Sequence, residues 1–177
     1  MGVLAEYLRT EAERLRSERK ARNEAIVEWE GSVRRLLATL TGWIEKADGG
    51  LGLVGADIEE GHLVKEPRLG EYACPRMEIL TGDVQRKEFF VKVAEVAPKA
   101  RFVLAEIHPP GREPRTADGV VEIREWGRPS HYLFRWKNPD GDEWFIRNDA
   151  VWDNSRYENV APLTAEAFES AVLSAVK

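Results

Sequence analysis

The chain has 177 residues, 43% hydrophobic and 32% charged, with a formal net charge of −5. That is enough apolar content for one core, or for a small domain plus an extended helix, and the surplus of acid weighs against a protein whose main task is gripping phosphate backbones. A single cysteine, Cys74, rules out an intramolecular disulfide and paired-cysteine metal spacing, and fits a reducing compartment.

The opening "MGVLAEYLRTEAERLR" has too short an apolar run and too early an acid, Glu6, for a signal peptide. No apolar run reaches the roughly 20 residues that span a bilayer. The expectation is a cytoplasmic protein with no membrane partner.

Residues 2–47 contain no proline. Steps of three and four from Ala5 give Leu8, Ala12, Leu15, Arg19, Arg22, Ile26, Trp29, Val33, Leu36, Leu40, Trp43 and Ala47. A stripe held in phase that long predicts an amphipathic helix roughly 70 Å in length and suggests a coiled-coil seam. Its flanks alternate in sign, as "RTEAERLRSERKARNE" does, which suits a solvated face. Arg19 and Arg22 sit inside the seam. Two charges there weaken it, so the helix either continues through Arg19–Asn23 or breaks into a helical hairpin. Ile26, Trp29, Val33, Leu36, Leu40 and Trp43 form the purely apolar part and are the predicted partner-binding residues. Gly49 and Gly50 end the helix. The first segment is therefore 1–48, followed by a glycine-rich connector over 49–61.

From 62 to 177 the chain reads as a sheet domain with a C-terminal helix. "HLVKE" (62–66), "PRMEIL" (75–80), "VQRKEFFVKVAEV" (84–96), "RFVLAEI" (101–107), "VVEIREW" (120–126), "HYLFRWK" (131–137) and "EWFIR" (143–147) are short, β-branched or aromatic runs bounded by turn residues. "TGD" marks a turn, and "HPPGREPRTADG" is too rich in proline and glycine for a regular ladder. No connection is long enough for a crossover helix, so the fold class is α+β: a mainly antiparallel meander of about six strands, open or a partly open barrel. "PLTAEAFESAVLSAVK" predicts a helix over 164–176, with Thr164 as N-cap, Glu166 in the first turn, Leu163 and Phe168 as a hydrophobic staple, and Phe168, Val172, Ala175 and Val176 on its docking side.

Alternation in "HYLFRWK" sends Tyr132, Phe134 and Trp136 to one face and His131, Arg135 and Lys137 to the other. A platform for nucleic-acid bases needs rings and cations on one exposed face, so these aromatics are expected in a core, with Trp126, Trp136, Trp144 and Trp152 adding volume or lining a pocket. Trp126, Arg128 and His131 surround a turn and form a second predicted partner surface, since tryptophan and arginine are enriched at interface hot spots.

Catalytic patterns are weak. His62, His108 and His131 have no metal spacing, Cys74 no nucleophile signature, and "GGLGLVG" lacks the ending of a phosphate loop. Asp118, Glu122 and Glu125 are the acids whose convergence would support metal-dependent hydrolysis. No cofactor or metal is expected. The reading is a non-catalytic assembly or adaptor protein, oligomerising or docking a protein partner through its N-terminal helix. The alternatives are a nucleic-acid-binding protein using the basic positions of the N-terminal helix with Arg128, Arg135 and Arg147, and a hydrolase with a carboxylate–metal or Cys–His site.

Overall fold

In the computed structural model, whose described residues are 2–83, 88–147 and 156–176, helix α1 runs unbroken over Val3–Asp48. Arg19 and Arg22 do not break it, because both lie on the solvent-exposed stretch of the helix, where a charge costs nothing to keep. Good helix formers and exposed pairs at helical spacing (Arg14 with Glu11 and Glu18, Lys20 with Glu24) support this stretch without tertiary packing. The helix ends where expected: Gly49 is left-handed at φ 59° and donates its N–H to the Glu45 carbonyl at 3.2 Å. The Asp48 carboxylate then accepts the N–H groups of Gly52, Leu53 and Val54 at 2.7, 2.7 and 3.0 Å. That capture turns the chain at once into a strand, so the connector is 49–53 rather than 49–61.

The strands are β1 (Val54–Glu66), β2 (Gly70–Asp83), β3 (Glu88–Ala100), β4 (Glu106–Ile107), β5 (Arg115–Thr116), β6 (Val120–Glu125), β7 (Arg128–Asn138), β8 (Gly141–Arg147), β9 (Arg156–Tyr157) and β10 (Ala161–Pro162), followed by helix α2 (Ala165–Val176). Seven form one open antiparallel sheet in the order β1-β2-β3-β6-β7-β8-β10. The excursion between β3 and β6 supplies β4 and β5, and β9, after β8, joins them in a small second sheet, β5-β4-β9, in which β4 runs parallel to β9. The fold is thus the long helix, open antiparallel sheet and C-terminal helix that the patterning predicts. The expected strand 101–107 shrinks to Glu106–Ile107, because the N–H groups of Arg101 and Phe102 bond the Glu66 carboxylate instead of a neighbouring strand.

Two cores lie on opposite faces of the main sheet. On one, α1 and α2 cover Met77, Ile79, Val96, Val121, Ile123, Leu133 and Ile146. On the other, the small sheet, with Tyr157 of β9, and its loops cover Val120, Tyr132, Phe134 and Phe145, with Trp136 packed beside them. Successive residues 132, 133 and 134 alternate between the two, as strand pleating requires. Thr164 caps α2, its Oγ1 accepting the Ala167 N–H at 3.2 Å. Phe168 is buried and its ring lies 6.1 Å from that of Trp43. The expected core position Trp152 lies outside the described residues, and so do the side chains of Ala175 and Val176.

On β1, β2, β3 and β6 a cross-strand row of opposite charges runs from Glu59 through Arg76, Glu95, Arg124 and Glu122 to Lys99.

Candidate functional site

Five turns of an α-helix are about 18 residues, so in the unbroken α1 Leu8 lies in line with Ile26 and Ile44, and Leu15 with Val33. The sheet meets only the second half of that line. Trp29, Val33, Leu36 and Leu40 are buried against it, and Ile26 and Trp43 pack on the same core. This corrects their assignment as partner-binding residues: the apolar face of the chain's own sheet already covers them. The first half is uncovered. Leu8 is 56% exposed and Leu15 52%, with Val3, Leu4 and Tyr7 exposed beside them. At 1.5 Å per residue the stretch 3–22 projects roughly 30 Å.

A charged clamp fixes where the helix leaves the sheet. Arg135, expected on the face away from the aromatics, does point there, but that face lies under α1 and leaves it 1% exposed. Its Nη1 donates to Glu28 Oε2 at 3.2 Å, its Nη2 also pairs with Glu28, and its Nε donates to Asp142 Oδ1 at 2.8 Å. Arg101 Nε and Lys137 Nζ approach Glu28 at 3.2 and 3.3 Å. Ser32 Oγ and Arg35 Nη2 donate to Asp142 Oδ2 at 2.6 and 3.0 Å. Burial alone would raise the Glu28 pKa, but the hydrogen bonds and charge of Arg135, with Arg101 and Lys137, outweigh it and hold the carboxyl at about 2. The ring of Trp29, one position on, lies 6.2 Å from that of Trp144, tilted by 36°, and its indole N–H is buried without a hydrogen-bond partner among the described residues.

The second predicted surface is brought together. Trp126, Arg128 and His131 line one open groove of about 890 Å³, closed on its other side by Ser170 and Ser174 of α2. Trp126 is not core volume. It is 82% exposed and stands at the tip of the β6–β7 hairpin with φ 50°, a conformation that an L-residue with a bulky side chain adopts only with strain. The following Gly127, at φ 78°, completes the turn. His131 donates to or accepts from Ser130 Oγ at 2.9 Å, and burial lowers its pKa, partly offset by Glu125.

The catalytic candidates are dispersed. Burial, with smaller contributions from Glu30 and Glu60, pushes the Cys74 thiol up to about 12, the opposite of an activated nucleophile. Glu122 is held by Lys99 and Arg124. Asp118 is held by Arg115 and by the Lys137 N–H, and Glu125 accepts from Ser174 at 3.4 Å. Among the described residues no three His, Cys, Asp or Glu side chains group as metal ligands, and no helix is long and apolar enough to cross a membrane. Of the arginines in the nucleic-acid reading, Arg135 is inside the clamp and Arg147 lies over the Tyr157 ring at 4.4 Å; Arg128 lines the groove. No family model matches the chain, and no curated protein or solved structure is significantly similar to it.

Proposed function

We propose that the protein is a non-catalytic assembly component whose helical arm, residues 3–22, takes up the arm of a second copy. The observation that carries this reading is the apolar line of Leu4, Leu8 and Leu15, left bare on a helix whose continuation is buried in its own core. Because the line is continuous, the sheet lies on the side that a partner helix would occupy. A parallel partner would run into the sheet beyond Ile26. An antiparallel one ends where the sheet begins, so the two arms overlap with the sheet domains at opposite ends. The groove of Trp126, Arg128 and His131 then remains free on each copy as the surface for a further protein partner.

Three leucines per arm offer only a modest apolar area against the cost of association, so the dimer is weak, with a dissociation constant on the order of 10–100 μM. Sedimentation equilibrium on the full chain across that range tests it. A reversible dimer that Leu8→Glu/Leu15→Glu abolishes is expected. A monomer at every concentration, or a dimer indifferent to those substitutions, contradicts it.

A further inference from the structure

The turn from β1 to β2 and the segment after β3 enclose a pocket of about 410 Å³, lined by Lys65, Glu66, Arg68, Lys99, Phe102 and Leu104 among others. Its wall is held by a buried charge. The Glu66 carboxylate accepts the Tyr72 hydroxyl at 2.7 Å, the Arg101 N–H at 3.2 Å and the Phe102 N–H at 3.0 Å. These bonds draw the chain off the sheet at residue 101 and stand Phe102–Leu104 over the pocket. They also occupy the negative charge of Glu66 with three donors.

What the wall presents is apolar and partly exposed. Leu104 is 72% exposed and Phe102 also reaches solvent. What surrounds it is positive. Lys65 and Arg68 make no ion pair among the described residues, and the Arg68 guanidinium lies 5.3 Å from the centroid of the Phe102 ring. Lys99 adds a third cation, though it is bound to Glu122. In a chain of net charge −5, two cations without an ion pair among the described residues, beside an exposed leucine and a part-exposed ring that Arg101 also approaches at 5.0 Å, make a site with a sign and a shape. One ring, Phe102, and the cations share one face here, the arrangement that the β7–β8 hairpin lacks.

We propose that this pocket binds a small organic anion, a carboxylate or phosphate monoester on a flat apolar body. The acid sits between Lys65 and Arg68, and the body lies against Phe102 and Leu104. The pocket holds a molecule of this kind but not a folded partner.

Isothermal titration of the full chain at low salt, with 1-naphthyl phosphate, 1-naphthol and inorganic phosphate, tests both halves of the claim. The aromatic phosphate is expected to bind with a dissociation constant on the order of 0.1–1 mM, and the other two about tenfold more weakly or worse, since each lacks one half of the recognition. Arg68→Glu and Lys65→Glu, both at exposed positions, should each weaken 1-naphthyl phosphate about tenfold with the circular dichroism unchanged. Leu104→Ala should weaken it about threefold. The proposal is overturned if 1-naphthyl phosphate gives no heat at millimolar concentration, if neither charge reversal changes its affinity, or if inorganic phosphate binds equally well.

Discussion

Replacing Glu28 by Gln isolates the charge that joins α1 to the sheet. The side chain keeps its shape and one acceptor, while Arg135, Arg101 and Lys137 lose a common anion. A carboxyl held at about 2 rather than 4.5 corresponds, at about 1.36 kcal/mol per pH unit, to roughly 3.4 kcal/mol of preference for the charged form in the folded state. Two facts reduce that figure. The Glu28 side chain is 30% exposed, so water screens part of it, and Arg135 keeps Asp142 as a partner. The expected loss at pH 7 is about 2 kcal/mol, a fall in Tm of roughly 4–8 °C. The sign of the pH dependence follows from the depressed pKa. Glu28 contributes its full stabilisation above about 4.5, its ordinary value, and loses it progressively as pH falls through about 2. The variant has no such group, so the gap between the two proteins should narrow steadily below pH 4.5. Urea unfolding followed by tryptophan fluorescence, at pH 7 and at steps down to 3, measures that gap. A difference under about 0.5 kcal/mol at pH 7, or one that stays constant across the series, would refute the clamp.

Three other substitutions or treatments probe the remaining geometry. A Cβ added at Gly119 would stand 2.5 Å from the ring of the buried Trp29, so Gly119→Ala should lose about 1–3 kcal/mol in urea unfolding, and a neutral result would mean that Trp29 is not packed there. Trp126→Asn relieves a strained left-handed residue and removes an exposed ring; it should raise stability by about 0.5–1 kcal/mol, and a destabilised variant would mean that the indole packs against the chain. Cys74, buried with its thiol pushed up to about 12, should react with iodoacetamide at pH 8 only after denaturation; alkylation of the native protein at the rate of a free thiol would contradict its burial.

The legible part of the fold is the part that period alone determines. The stripe from Leu8 to Trp43 specifies a helix, the alternation through Tyr132, Leu133 and Phe134 specifies a strand with its aromatics together on one face, and Thr164 marks the start of α2. What period cannot specify is the partner of a stripe. A spacing of three and four residues serves a coiled coil and a helix lying on a sheet equally well, so Trp29, Val33, Leu36 and Leu40 read as an interface until the sheet is seen to cover them. Arg135 is a related case. Its face follows from alternation, but its burial depends on Glu28, 107 residues earlier, and no local pattern couples the two. The strand expected at "RFVLAEI" fails for a similar reason, since Glu66 takes the N–H groups a ladder needs. The groove at Trp126, Arg128 and His131 was visible because a turn places all three within six residues. The cationic pocket was not, because Lys65 and Arg68 meet Phe102 and Leu104 only through the path of the chain around β2 and β3.

Helix α1 carries two different surfaces on one continuous helix, half buried in the core and half exposed. Amide hydrogen exchange measured along α1, at a concentration where the chain sediments as a monomer, tests this most directly. Amides of residues 26–44 should exchange at rates near those set by global unfolding, and those of 3–20 orders of magnitude faster. Uniform slow exchange along the whole helix in the monomer would mean that the arm is covered by its own chain, and would contradict that division.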